Sequence, residues 1–109
     1  MVEISQEKRK ELLKMAYKNG YSNFEYSHID IDNIDNQDLY CIIHESSGYE
    51  QTFWKIEDTF GFERGKHDWD NFGIYGIIED SSVCYEKGAK DAIENNEYNP
   101  DSISHMWNY

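Results

Sequence analysis

Cysteine is scarce in this sequence, and the two cysteines stand apart. Cys41 and Cys84 form no C-x-x-C pair, so we predict two reduced thiols that pack in the interior rather than a disulfide or a thiolate metal site. No apolar run approaches the roughly 18 residues that a membrane-spanning helix needs. The segment "MVEISQEKRK" also lacks the apolar stretch of a secretory signal. These absences predict a cytoplasmic protein that makes no membrane contact. The abundance of Ile, Asn and Tyr and the scarcity of Ala, Arg and Pro predict that the cell is a bacterium or a phage-infected host.

Fingerprints of common enzyme classes are missing as well. The chain contains no G-x-S-x-G, no P-loop and no dinucleotide-binding glycine pattern. The stretch "GKHD" has a glycine before Lys66 but lacks the P-loop frame, so it gives no support for phosphate binding. We assign no catalytic residue and no cofactor, and we expect a protein that is not an enzyme.

Basic residues are scarce after the first helix. Residues 1–18 contain five basic and three acidic side chains, whereas the remaining 91 contain five basic and nineteen acidic ones, within a formal net charge of −12. Such a surface repels nucleic acid and anionic membranes, and it speeds encounter with basic partners at low salt. The alternative interpretation is that the acidity only keeps a small protein in solution.

What the sequence does have is enough apolar and aromatic material for one core. Hydrophobic residues make up 39% and aromatic residues 16% of the 109, which argues against intrinsic disorder. A chain of this length fits one domain. We therefore predict a single domain over residues 1–109, in which 96–109 could form a C-terminal tail.

The pattern of elements predicts an α+β fold. Ser5 is expected to cap a helix that buries Leu12, Leu13, Ala16 and Tyr17 and stops at Gly20. Strands are predicted over 23–32, with a bulge or break near His28, and over 72–80, with a β-hairpin over 38–57 that turns at "SSG". A helix beginning near Glu50 is the competing interpretation of the hairpin's second half.

The remaining segments complete this prediction. Residues 59–71 are the best loop candidate, and Ser81 or Ser82 is expected to cap a second helix that runs to about Asn95. The order of elements then predicts an antiparallel sheet of about four strands, with both helices covering one face.

The first candidate site is "HIDIDNIDNQD", residues 28–38, which holds four aspartates and no Lys or Arg. As an EF-hand loop starting at Asp30 it fails at three required positions, occupied by Ile34, Asp35 and Cys41. On one face of a strand Asp30 and Asp32 would lie about 6.6 Å apart, but no apolar neighbour would raise either pKa for acid-base work.

The same stretch can instead form part of an acidic ridge. Residues 21–63 contain ten acids and one base, Lys55. Evenly spaced carboxylates resemble the phosphates of a DNA strand, one per about 3.4 Å of axis. We therefore predict a nucleic-acid mimic that presents this ridge to a basic protein.

The second candidate site is "GKHDWDN", residues 65–71. His67, Asp68 and Asp70 are capable metal ligands, but no H-x-x-x-H or matching C-x-x-C spacing accompanies them. Trp69 between two aspartates is typical of an aromatic anchor with an acidic rim. The alternative is that Trp69 belongs to the core. The predicted partner-binding residues are Asp30, Asp32, Asp35, Asp38, Glu57, Asp58, Glu63, Asp68, Trp69 and Asp70.

These features favour a small acidic inhibitor of a basic partner, such as a nuclease or another nucleic-acid-binding protein. Phage anti-defence inhibitors, including anti-CRISPR and anti-restriction proteins, share this profile of size and charge, and so do immunity proteins that neutralise nuclease toxins. An alternative is a metal-dependent hydrolase or nuclease using His67, Asp68 and Asp70. A third is a non-enzymatic scaffold or oligomeric domain that uses its aromatic residues.

Overall fold

The computed structural model describes residues 5–61 and 74–107. In these ranges the chain is helical and contains no strand, so the prediction of an α+β fold with an antiparallel sheet is wrong. None of the helices described there is long and apolar enough to cross a membrane. The elements are α1 (Gln6–Phe24), α2 (Asn36–His44), α3 (Ser47–Thr59), α4 (Ile74–Ile93) and a 3-10 helix (Pro100–Met106).

Helix α1 begins as the sequence predicts. The Oγ of Ser5 accepts a hydrogen bond from the backbone N–H of Lys8 at 3.1 Å, which satisfies one of the free N–H groups at a helix start. The predicted stripe of Leu12, Leu13, Ala16 and Tyr17 is fully buried. Both the cap and the apolar face of α1 are therefore confirmed.

The predicted end of α1 at Gly20 is wrong, because this glycine lies at a helix crossing. A Cβ placed on Gly20 would stand 2.1 Å from the backbone oxygen of Tyr85, and one on Gly88 would stand 2.1 Å from that of Tyr17. The two glycines therefore let the backbones of α1 and α4 touch, and this is the most extensive helix pair among the described residues.

Residues 38–57 form helices α2 and α3 instead of the predicted hairpin. The carboxylate of Asp35 caps α2 by accepting from the N–H of Gln37 at 2.7 Å, and Ser46 caps α3 in the same way. Leu39 and Ile43, four residues apart, are both buried, which is the spacing of a helix face. The competing helix near Glu50 was the better interpretation, since α3 begins at Ser47.

The other two predicted strands are also replaced. Phe24 ends α1, and residues 31–34 make a turn rather than the far half of a strand. Of the predicted strand 72–80, residues 74–80 belong to α4, which begins before the expected caps Ser81 and Ser82. The buried face of α4 includes the small residues Ser81 and Gly88, which hydrophobicity alone does not mark.

The segment expected as a tail is described up to residue 107 and returns to α1 and α4. The hydroxyl of Tyr17 donates to Asp91 at 2.6 Å and accepts from the backbone N–H of Asn99 at 3.2 Å. The side chain of Arg9 pairs with Asp80, and its Nε donates to the carbonyl of Met106 at 3.0 Å. These contacts fix the 3-10 helix on the bundle.

Candidate functional site

The aspartates of residues 28–38 lie in a turn and at the start of α2. Asp30 accepts from the backbone N–H of Asp32 at 3.2 Å and from the side-chain amide of Asn33. Asp35 is the cap of α2, and Asp38 lies in its first turn, where a negative charge is favoured by the helix dipole. The expected row of carboxylates on one strand face is therefore wrong, because no strand is formed in this stretch.

These carboxylates nevertheless remain in solvent, together with others further along. Eight exposed acids follow one another from the end of α1 to the end of α3, with Lys55 as the single base among them. We name this set the acidic segment: Glu25, Asp30, Asp32, Asp35, Asp38, Glu45, Glu50 and Asp58. Along α1, by contrast, the exposed bases Lys8, Lys10 and Lys18 outnumber the exposed acids Glu7 and Glu11.

The other predicted partner-binding residues fall into two groups. Glu57 is only 3% exposed, so its carboxylate is not available to a partner, and we leave it out of the acidic segment. Glu63, His67, Asp68, Trp69 and Asp70 lie outside the described residues. In the part of the chain that the structure does describe, no three His, Cys, Asp or Glu side chains group closely enough to hold a metal ion.

Residues of helices α2, α3 and α4 line an open surface groove of about 350 Å³. A row of four rings runs along it: Tyr40 and His44 lie 3.9 Å apart between ring centroids, His44 and Tyr49 4.6 Å, and Tyr49 and Phe53 4.6 Å. The side of the groove formed by α4 includes Ile78, Glu79, Ser82, Val83 and Glu86. We call this site the aromatic groove.

Helical spacing explains why the rings line up. Tyr40 and His44 are four residues apart on α2, and Tyr49 and Phe53 are four apart on α3, so each pair shares a helix face. Tyr49 is fixed against α4 by a hydrogen bond of 2.7 Å between its hydroxyl and that of Ser82. Burial raises the pKa of Tyr49 above its ordinary value of 10.0, and the phenol therefore stays neutral.

The two carboxylates of the groove differ in their partners. The carboxylate oxygens of Glu86 lie 3.3 Å from Nε2 of His44 and 2.8 Å from Nζ of Lys90. Burial acts to raise the pKa of Glu86, but the hydrogen bonds and charges of Lys90 and His44 outweigh it and hold that pKa below 4.5. Glu79 is exposed, and no hydrogen bond or ion pair joins its side-chain carboxylate to another described residue. Glu79 is therefore the carboxylate that a ligand can reach.

Parts of the groove are open to solvent. Tyr40 and Val83 are each 49% exposed, although aromatic rings and branched aliphatic side chains gain free energy when they leave water. Tyr40 uses one ring face against His44 and leaves other ring surface free. The groove thus combines uncovered apolar surface with a carboxylate, that of Glu79, which has no ion-pair partner among the described residues.

The sequence interpretation missed the aromatic groove because it placed residues 38–57 in a hairpin. In alternating strands Tyr40 and His44 share a face with Ile42, and the i, i+4 relation has no special meaning. Under a helical interpretation the repeated spacing Tyr40 to His44 and Tyr49 to Phe53 would have been the available signal.

Comparisons with protein-family models, with curated proteins and with solved structures find no match for this chain, so its function is argued from its own residues.

Proposed function

We propose that this protein is a small acidic binding protein that inhibits a basic, nucleic-acid-handling protein by occupying its positively charged groove. The observation that carries this proposal is the acidic segment, eight exposed carboxylates with a single intervening base. A surface that binds DNA neutralises phosphates with Lys and Arg side chains. The same side chains attract a dense set of carboxylates, and they do so over a distance that salt shortens.

The mimicry rests on charge density and not on regular spacing. Because the carboxylates lie on a turn and two helices, they do not repeat at the interval of a DNA strand. The carboxylates of Asp30 and Asp35 accept hydrogen bonds from backbone N–H groups two residues further along the chain. These two carboxylates are therefore held in place before a partner binds. A pre-ordered surface loses less conformational entropy on binding.

On this proposal the protein is not an enzyme and acts in the cytoplasm of a bacterium or of a phage-infected cell. Two biological roles fit the same surface: a phage inhibitor of a defence nuclease, of the anti-CRISPR or anti-restriction kind, and an immunity protein against a nuclease toxin. Both roles require a basic protein partner, and both are incompatible with direct binding of nucleic acid by the acidic segment.

The test compares two variants that carry the same change in net charge. In the first, Asp30, Asp32, Asp35 and Asp38 are replaced by Asn, which removes charge, keeps shape and still allows a cap at position 35. The control replaces four exposed acids outside the acidic segment: Glu11→Gln, Glu94→Gln, Glu97→Gln and Asp101→Asn. Thermal melts establish that both variants fold.

Each protein is immobilised and exposed at low salt to a lysate of its host cell, and the bound proteins are then eluted with rising salt. We expect wild type and control to retain the same basic nucleic-acid-binding protein, and the four-Asn variant to release it at lower salt with at least about tenfold weaker affinity. The eluted protein should lose DNA binding or cleavage when wild type is added. Equal retention by both variants, or a retained protein whose nucleic-acid activity is unaffected, would contradict the proposal.

A further inference from the structure

We propose that the aromatic groove binds one arginine side chain of the partner, with the guanidinium stacked on Tyr40 and paired with Glu79. This inference rests on the proposed function, since it names the chemical group through which the basic partner is held. It assigns the groove a role separate from the acidic segment: the segment attracts the partner, and the groove fixes its position.

The charges of the groove select a cation. Glu86 is already neutralised by His44 and Lys90, whereas Glu79 has no ion-pair partner among the described residues. An apolar occupant would remove water from Glu79 without replacing its hydrogen bonds, which is unfavourable. A cationic occupant supplies those bonds and leaves no carboxylate unpaired.

The shape of the groove favours guanidinium over ammonium. A guanidinium is planar, stacks on aromatic rings and donates two parallel hydrogen bonds to a carboxylate. It is also less strongly hydrated than an ammonium, so it enters a partly apolar site more readily. The ring of Tyr40 gives the stacking surface, and the exposed side chain of Val83 can cover the methylene stem.

The volume of the groove is sufficient for an arginine side chain. About 350 Å³ lies at the lower end of the roughly 300–1,000 Å³ found for small-molecule pockets. The row of rings explains how the stacking surface is held, because His44 packs between Tyr40 and Tyr49 while also contacting Glu86.

The probe for this inference is a tetra-arginine peptide, compared with tetra-lysine and with the neutral isostere tetra-citrulline. Binding is followed by NMR, using backbone amide shifts for affinity and the ring signals of Tyr40 and His44 for location. We expect tetra-arginine to shift both rings and to bind at least about threefold more tightly than tetra-lysine, and tetra-citrulline to leave the rings unchanged.

Two variants test the two contacts, each with a matched control. Glu79→Gln removes the charge and keeps the shape, and Tyr40→Ala removes the stacking ring. Each should weaken tetra-arginine binding at least fivefold. The controls are Glu94→Gln and Tyr26→Ala; both residues are exposed, Tyr26 at 84%, and lie outside the groove. The controls should bind tetra-arginine as wild type does.

Three results would overturn the inference: equal affinity of the groove variants and their controls, equal affinity for arginine and lysine peptides with no ring shifts, or a dimer in sedimentation that Tyr40→Ala dissociates. The last result would make a second copy of this chain the occupant. If the groove variants and controls bind equally while the four-Asn variant still loses the captured protein, only the groove inference fails. If the four-Asn variant retains that protein as tightly as its control does, the proposed function fails.

Discussion

Replacement of Gly20 by Ala tests whether the contact between α1 and α4 is as close as described. At an exposed helical position this change stabilises a protein by about 1 kcal/mol, because Ala is the better helix former. At Gly20 the new methyl group meets the backbone oxygen of Tyr85 at 2.1 Å and the backbone nitrogen of Ala89 at 3.0 Å. Backbone atoms cannot rotate away as the end of a side chain can, so the helices must separate.

The size of the effect follows from that separation. Contacts of a Cβ below 3.0 Å are essentially never found, so the helices have to move apart by about 0.9 Å. A gap of 0.5–1 Å loses about a quarter to a half of the dispersion energy at each contact, and overpacking costs about 1–3 kcal/mol. Taking the upper end and subtracting the gain in helix propensity of about 1 kcal/mol leaves a net loss of about 2 kcal/mol. For a domain of this size the loss lowers Tm by roughly 8–16 °C.

Chemical denaturation followed by circular dichroism measures this loss, with Ser22→Ala as the control. Ser22 is exposed on the same helix, so its replacement changes propensity without a clash and should leave stability equal or slightly higher. The double variant Gly20→Ala, Gly88→Ala should lose less than the sum of the single losses, since one separation of the helices accommodates both methyl groups. A stabilised Gly20→Ala, or strict additivity in the double variant, would refute the reasoning.

Two further predictions concern the polar groups that close the bundle. Although burial acts to raise it, the pKa of Asp91 is lowered below 3.8 by hydrogen bonds from Tyr17, Lys87 and Asn96, so this carboxylate stabilises the fold above its unfolded pKa and loses that effect as pH falls through its folded pKa. The free energy of unfolding should therefore drop less between about pH 5 and pH 2 in Asp91→Asn than in wild type, and an equal drop in both would contradict this assignment. Tyr17→Phe removes the hydroxyl that links Asp91 to the N–H of Asn99; we expect a loss of about 1–3 kcal/mol in denaturant melts, with faster hydrogen exchange at Asn99, whereas unchanged exchange would show that the link is not needed.

Helix α1 was predictable because its signals are local and agree with one another. A serine cap, an apolar stripe at helical spacing and i, i+3 charge pairs all occur within residues 5–18. Only its end was mispredicted. Glycine is a common helix stop, and the reason that Gly20 does not stop α1 is its contact with Tyr85, a residue far away in sequence.

Helices α2 and α4 were mispredicted for different physical reasons. The run "DLYCIIHE" is rich in residues that favour strands, and its helical signal is limited to two i, i+4 pairs, Leu39 with Ile43 and Tyr40 with His44. In α4 the buried face includes Ser81 and Gly88, which a search for apolar periodicity skips. Whether small residues fit these positions depends on the distance between α1 and α4. A single sequence does not give that distance.

Part of the candidate site was visible in the sequence and part was not. Most of the acidic segment follows from composition, since charged side chains usually remain in solvent, although Glu57 of the same run does not. The buried state of Glu57 and the aromatic groove depend on which helix faces pack together, so they required the fold. The fold also determines that a ligand can reach the carboxylate of Glu79, because Lys90 and His44 pair with Glu86 instead.

The pairing of α1 with α4 also determines when the protein can complete its fold during synthesis. Residues 25–73 separate the two helices, and ribosomes add roughly 5–20 residues per second. The apolar stripe of α1 therefore spends several seconds without α4, its most extensive partner. Over that time it can pack only on elements made earlier, such as α3, which also contacts α1 in the finished structure. A nascent chain of this protein thus leaves part of the apolar face of α1 uncovered until α4 has been made.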